Sequence, residues 1–314
     1  MKSVLLATGL FCLLVFSNAV AEPIRFTFNP ADSLTCTGRI VTVRTSLVDD
    51  IQGPTDTITI ANHLLFTRTG TGYELLSTPD SITVTRDGQR LDDPVTSVLA
   101  HTPITYVLDS NGQAVTVRGF ENVLAEVSAD GKQLPENLQK ALDVSMLNAG
   151  ALTEWDTRVG SMVGMELRVG KTAHSVKEHV LPDGRRFPLY QVMKITDTFQ
   201  VNGHLCARLY RIADTDIARM ADKLSMTLDS LKRIMKVPSD RDVSPPEDEA
   251  MSWNTDQVVM EVNTMMILGE HSESESVLPV TGQDGKPHRV QLMETSDKEY
   301  TFGARAPEDN HQSE

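Results

Sequence analysis

Aromatic residues are scarce in this chain of 314 residues: Phe, Trp and Tyr make up 5% of it. That is too few for the exposed stacking platforms on which carbohydrate and single-strand binders lay their ligands. Trp155 and Trp253 stand at junctions between elements and read as core or lid residues. Positive charge is short as well. Lys and Arg number 29 against 43 Asp and Glu, a formal net charge of −14, and an acidic surface of that size repels phosphate backbones and anionic lipid headgroups. Nucleic acid is thereby excluded as a partner. The acids are spread along the chain and densest near Pro245 to Glu249 and in the tail, a distribution that serves solubility more than recognition.

Motifs that announce a reaction are also missing. There is no Gly-x-Ser-x-Gly elbow, no His-Glu-x-x-His zinc helix, no Walker loop and no dinucleotide glycine fingerprint. Gly160-Ser161-Met162-Val163-Gly164 approaches the elbow with its serine one place early, and reads as a flexible entry to a strand. Nothing in the spacing of the 43 acids singles out a catalytic pair. No catalytic residue and no cofactor is therefore assigned.

Long apolar runs are absent except at the start. Lys2 gives a short positive beginning, Val4 to Phe16 is nearly unbroken apolar sequence, and Ala19-Val20-Ala21 ends it with the small-x-small pattern of a signal-peptidase site. The run is shorter than the roughly 20 residues needed to cross a bilayer, and Ser17-Asn18 closes it. Residues 1–21 are thus expected to be a signal peptide cut between Ala21 and Glu22, making the protein periplasmic or extracellular. Cys12 lies inside the run, unlike a lipoprotein cysteine. No later stretch is long and apolar enough to span a membrane.

Two cysteines remain after cleavage, Cys36 and Cys206. In an oxidising compartment an even number of cysteines usually pairs, so a Cys36–Cys206 disulfide is expected. It would close a loop of about 170 residues and constrain the unfolded chain by several kcal/mol. Two buried thiols acting as small apolar side chains are the alternative.

What the sequence does have is Thr, Val and Ile between turn residues. Residues 22–119 read as antiparallel strands, with alternation in Arg39 to Arg44 and Asp80 to Arg86. The clearest hairpin joins Thr105 to Leu108 with Ala114 to Val117 through Asp109-Ser110-Asn111-Gly112, where Asn-Gly supplies the positive φ of a tight turn. Residues 120–160 carry helical spacing: Phe120, Val123, Leu124 and Val127, then Leu138, Leu142 and Met146 after Pro135. Residues 161–303 return to strands around one long amphipathic helix, 216–236, with Ile217, Met220, Leu224, Leu228, Leu231 and Met235 on its stripe. Thr215 or Asp216 would cap it. Leu181 to Arg185 and Gln200 to His204 read as turns, Ser239 to Glu249 as a solvated loop, Val258 to Leu268 and Val277 to Phe302 as closing strands. Residues 304–314 have almost nothing to bury and are expected to be disordered.

Metal chemistry finds little to use. His174 and His179 point to opposite faces of a regular strand. His204 and Cys206 share a face, but a metal there needs further ligands and a free thiolate. Glu270 to Glu275 reads as a solvated acidic loop. No metal site is assigned. Methionine is the unusual apolar choice: Met220, Met226, Met235, Met260, Met265 and Met266 are either core or the lining of an adaptable apolar pocket.

The strands of Ile24 to Val117, running through Arg118-Gly119 into a helix at Phe120 to Val127, resemble uncharacterised exported bacterial β-rich proteins. In layout they are similar to the lipoprotein-carrier group, in which a curved antiparallel sheet wraps helices around an apolar cavity. The fold class expected is α+β: mainly antiparallel sheet, a curved sheet or half-barrel, with a central helical segment and one long helix. The resemblance implies a non-enzymatic binding or carrier role in the cell envelope for an apolar small molecule or lipid. The alternative is a structural envelope protein that binds a protein partner through an exposed apolar patch or edge strand. A hydrolase without a recognisable motif would need His, Ser and carboxylates clustered in one cleft.

Overall fold

The computed structural model describes residues 22–91, 94–128, 136–180, 186–237, 251–281 and 287–303. The expected signal peptide, the turn at 181–185, the loop at 239–249 and the tail from 304 lie outside the described residues.

The fold is mainly antiparallel sheet. From the N-terminal half come strands β2 (Leu34–Val48), β3 (Ile51–Arg68), β4 (Gly72–Arg86), β5 (Gln89–Leu91), β6 (Ile104–Asp109) and β7 (Ala114–Arg118), after a short β1 (Ile24–Arg25). From the C-terminal half, after a short β8 (Glu166–Leu167), come β9 (Thr172–Val180), β10 (Arg186–Val201), β11 (His204–Asp214), β12 (Met251–Glu261), β13 (Ile267–Thr281) and β14 (Pro287–Phe302). The short β1 and β8 pair with each other, and the other twelve join in one open sheet in the order β7-β6-β4-β3-β2-β14-β13-β12-β11-β10-β9, with β5 paired to β4. Each half is thus a meander, and the seam between them pairs the first long strand with the last, from Val290 opposite Val48 to Phe302 opposite Cys36.

Local chemistry sets the turns. Asp49 and Asp50 take φ of 50° and 64°, Asp87 and Gly88 50° and 80°, Asn202 and Gly203 49° and 82°. These are two-residue hairpins with both central residues left-handed, the geometry that matches strand twist and that Asp, Asn and Gly tolerate. The Asp109 to Gln113 turn is built differently from the tight Asn-Gly turn expected. Only Gly112 has positive φ, 83°, while Asp109 Oδ1 accepts from the backbone N–H of Asn111 and Gln113 at 2.8 and 2.9 Å. A Cβ on Gly112 would sit 2.2 Å from Phe28 Cγ, so both conformation and space demand glycine.

Helix α1 (Pro94–Leu99) precedes β6, and between the sheet's two edges run α2 (Val123–Val127), α3 (Glu136–Ala141) and α4 (Val144–Arg158). The expected helix through Leu138, Leu142 and Met146 breaks at Leu142, because Asp143 turns extended (φ −61°, ψ 135°) and caps α4 through Ser145 N at 2.9 Å. Helix α4 touches both sides of the sheet. Trp155 packs on Tyr106 of β6 at 5.5 Å between ring centroids and donates through Nε1 to Gly112 O at 2.8 Å. The backbone carbonyl of Thr157 accepts from Arg211 of β11 at 3.2 Å. The sheet therefore curves around α4, and its main core (Phe26, Phe66, Leu75, Ile195, Leu209, Met260 and others) lies inside that curve.

The long helix expected over 216–236 is two helices, α5 (Ile217–Lys223) and α6 (Leu228–Met235). Ser225 takes φ of 52°, and Thr227 caps α6 by accepting from Ser230 N at 3.3 Å. Asp216 caps α5 through Ala218 N at 2.8 Å. Both helices cover Tyr190, Val192 and Ile212, with Met220 and Met235 buried among them. These side chains alternate with Gln191, Met193 and Arg211 and so occupy the opposite, outer face of the sheet. Near the chain's end, the expected strand Val258 to Leu268 is broken by a turn at Val262 to Met266, where Met265 has φ of 55°. The strand Val277 to Phe302 is likewise two, β13 and β14. Glu270 to Glu275 is no loop: it lies in the middle of β13.

The Cys36–Cys206 bridge is absent, and both cysteines are free and buried. Cys36 belongs to the inner core. Cys206 alternates on β11 with Leu205, Ala207 and Leu209, which face that core, so it points to the other side of the sheet. The two also stand four strand positions apart, where a disulfide needs Cα atoms within about 7 Å.

Candidate functional site

The concave face beneath α4 is assembled by register. One row of neighbours runs Ala173, Met193, Arg211, Asp256, Ser272, Ser296 and Thr42 across seven strands. The next runs Ser175, Gln191, Ala213, Asn254, Ser274, Glu294 and Arg44. On the other side lie Leu209, Val258, Glu270, Lys298 and Ile40. Most of these side chains are small or polar, and small side chains under a crossing helix leave space.

That space is a groove with two lobes. The larger, about 500 Å³, lies between Met146, Gly150, Glu154 and Arg158 of α4 and Asp256, Glu270, Ser272 and Ser274 of the sheet. The smaller, about 370 Å³, runs toward β9 and β10 and is lined by Met165, Ala173, His174, Leu189 and Met193. Thr153, Thr157, Arg211, Asn254 and Asp256 line both. The volumes fall in the range of small-molecule sites, roughly 300–1,000 Å³.

Charge is concentrated in the larger lobe and is deeply buried. Arg211 and Asp256 are 7% and 6% exposed, Glu270 and Lys298 each 5%. Arg211 Nη2 meets Asp256 Oδ2 at 3.1 Å, and Asn254 Nδ2 donates to Asp256 Oδ1 at 2.9 Å. Arg158 pairs with Glu154 at 2.9 Å along α4. Its approach to Glu270 is looser, at 3.6 Å, as are those of Lys298 to Glu154 and Glu270, at 3.8 and 3.9 Å. Burial pushes the Glu270 carboxyl above its ordinary range, against the lowering pull of Arg158 and Arg211. Burial likewise pushes the Tyr300 phenol up to about 12 and holds His174 below the usual imidazole value.

Two buried polar atoms lining the groove have no hydrogen-bond partner, Arg211 Nε and Glu270 Oε2; a third, His174 Nδ1, belongs to a ring on the outer face, opposite Val192. Buried polar groups in folded proteins are otherwise nearly always satisfied.

Of the residues weighed in the sequence, His174 borders the smaller lobe, but it stands opposite Val192 and so turns its ring to the outer face, with Nε2 2.9 Å from Thr172 Oγ1. Ser161 lines it too, donating to Thr157 O at 3.4 Å, so neither is hydrogen-bonded to the other. His204 stacks on Phe302 at 6.4 Å and lies outside the groove lining, as do Cys36 and Cys206. Among the described residues no group of three or more His, Cys, Asp or Glu is placed to hold a metal. The methionines singled out in the sequence are packing residues of the two cores, and the groove uses Met165 and Met193 instead. The charged centre was missed. Its signal is the alternation Glu270-His271-Ser272-Glu273-Ser274-Glu275, which places Glu270 on the face of Ser272 and Ser274 and the other acids on the opposite one.

No family model matches the chain, and no curated protein does. Among solved structures, the chain is similar to lipovitellin, in a structure of its lipid–protein interactions, at 8% identity and a TM-score of 0.42 over 90% of this chain. It spans about a quarter of that protein's length, 26%. It is also similar to DynF from the dynemicin biosynthesis pathway of Micromonospora chersina, at 10% identity and a TM-score of 0.20 over 92% of this chain and 88% of that one. A third is OccK8 (OprE) of Pseudomonas aeruginosa, at 5% identity and a TM-score of 0.16 over 87% and 99% of the two chains. Among the described residues no helix is long and apolar enough to cross a membrane.

Proposed function

We propose that this chain is an exported, non-enzymatic binding or carrier protein of the cell envelope that seats an apolar small molecule or lipid between α4 and the concave face of its sheet. The observation that carries the reading is the groove itself: an apolar lobe continuous with a polar one, lined by two buried polar atoms without partners. A filled core would leave no room for a carrier role. Export rests on the apolar run and the Ala19-Val20-Ala21 pattern of the sequence.

Native mass spectrometry of the protein from its own envelope fraction, before and after organic extraction, tests both parts. The expected result is a polypeptide beginning at Glu22 that loses the mass of a lipid-sized molecule on extraction. A bare polypeptide before extraction would overturn the carrier reading, and a retained leader would overturn export with cleavage.

A second reading, docking of a protein partner, is favoured by a separate feature. Ile51, Val48 and Val280 are 74%, 42% and 44% exposed and gather at one end of the sheet, where Val48 pairs with Ile51 and with Val290. Its sign is a stable envelope complex lost on Ile51→Asp with the groove unchanged.

A further inference from the structure

The charged lobe is balanced but not closed. Arg158, Arg211 and Lys298 stand against Glu154, Asp256 and Glu270, and Glu294, which also lines the lobe, is matched by Arg44 at 2.6 Å. Within that balance two atoms of opposite kind are left over: Arg211 Nε, a donor, and Glu270 Oε2, an acceptor. Both residues are more than nine-tenths buried, at 7% and 5% exposure, and both line the same lobe. Lys298 Nζ stands 3.9 Å from Glu270 Oε2, beyond hydrogen-bond reach. Each unmet atom costs free energy until something meets it.

Resting on the carrier reading, we infer that the groove takes a single-chain amphiphile whose head has no net charge and both accepts and donates hydrogen bonds. A head oxygen accepts from Arg211 Nε, a head hydroxyl or amide donates to Glu270 Oε2, and the apolar tail lies along Met165, Leu189 and Met193. Electrostatics decides against ionic heads. A carboxylate would satisfy Arg211 but would face Glu270 and Asp256, and an ammonium would satisfy Glu270 but would face Arg211. Either would add an unbalanced charge where little water screens it. A hydroxylated or amide head meets both atoms and leaves the four-against-four balance intact.

The test uses the full mature chain at neutral pH with N-phenyl-1-naphthylamine as a neutral apolar reporter, displaced by three ligands of one chain length below their micelle concentrations: 1-decanoylglycerol, decanoate and decylamine. The expected result is that the reporter binds and that the glyceride displaces it with a Kd at least tenfold below either ionic ligand. Arg211→Lys, which keeps the charge and removes Nε, should weaken the glyceride at least fivefold more than it weakens the reporter. Should that variant fail to fold, the ranking on the unaltered chain decides alone. Decanoate or decylamine binding as tightly as the glyceride, with the reporter still bound, overturns the head inference and leaves the groove standing. A reporter that does not bind, with no ligand bound either, overturns the carrier reading with it.

Discussion

Burial disfavours a charge on Glu270, and the consequence for stability has a definite sign. Its folded-state value is raised above that of the unfolded chain, burial outweighing Arg158 and Arg211. The folded protein therefore binds this proton more tightly than the unfolded one. The stability it contributes is fully present below the ordinary carboxylate range and is lost as pH rises through the raised value. Glu270→Gln imitates the protonated acid. It is expected to match the unaltered protein near pH 4, to be at least as stable at pH 7, and to flatten the fall between them in urea titrations. Arg158→Met is expected to do the reverse. It leaves Glu270, whose side chain is 2% exposed, with one partner fewer, at a cost on the order of 3 kcal/mol at pH 7. An Arg158→Met protein as stable as the parent would mean that the 3.6 Å approach is not an interaction. The cysteines give a second test at this scale. Burial pushes the Cys36 thiol up to about 12, and Cys206 is raised by burial and by Glu261, so neither presents a thiolate. Thiol titration should find no reactive cysteine in the folded mature chain and two after denaturation without reductant. Two thiols missing under those conditions would restore the disulfide.

At the scale of elements, α4 is the exception to how the rest is held. None of its residues is fully buried. Its attachments are polar contacts to β11, β13, β14 and the Gly112 turn, the Trp155 ring packed on Phe28 and Tyr106, and the half-buried Leu147, Ala151 and Leu152 against a small cluster of Val117, Phe120, Val123, Val127 and Leu142. Elements with few buried apolar contacts open before the global transition. Hydrogen exchange should show the amides of Met146 to Trp155 exchanging well before those of Val258, Leu209 and Ser296, and slowing when the groove is occupied. Equal protection in the empty protein would mean that α4 unfolds only with the sheet. This is also the scale at which the sequence was most and least legible. Strands with strict alternation and Asp, Asn or Gly turns were readable from residue order, because their signals are local. The break in α5–α6 was hidden, since Leu224, Leu228 and Leu231 keep helical spacing straight through Ser225. The acidic run of β13 was hidden for another reason. Serine and glutamate favour neither strand nor core, and tertiary pairing with β12 and β14 overrides their propensity. Glu270 became a site residue only when register set it beside Lys298, across from α4.

For the whole molecule the decisive contact is the one farthest apart in sequence. Strands β2 and β14 pair along thirteen positions, Val48 with Val290 through Cys36 with Phe302. Each half is otherwise a meander of local hairpins, and such halves could fold separately if the seam contributed little. The core argues that they do not. It takes Phe66, Leu75 and Leu108 from the first half and Ile195, Leu209 and Met260 from the second into one cluster, and the groove beside it takes Glu294 from β14 as well. Losing β14 would expose two long strands, β2 and β13, as unpaired edges of 15 residues each, the condition under which sheets pair with other chains. The full chain is therefore expected to melt in a single transition, seen alike by far-ultraviolet circular dichroism and tryptophan fluorescence. A chain ending at Thr281 is expected to lose most of its strand signal or to aggregate, not merely to melt a few degrees lower. A soluble monomer of that truncated chain with a cooperative melt would show that the seam joins two finished domains, and that the curvature enclosing the groove does not depend on it.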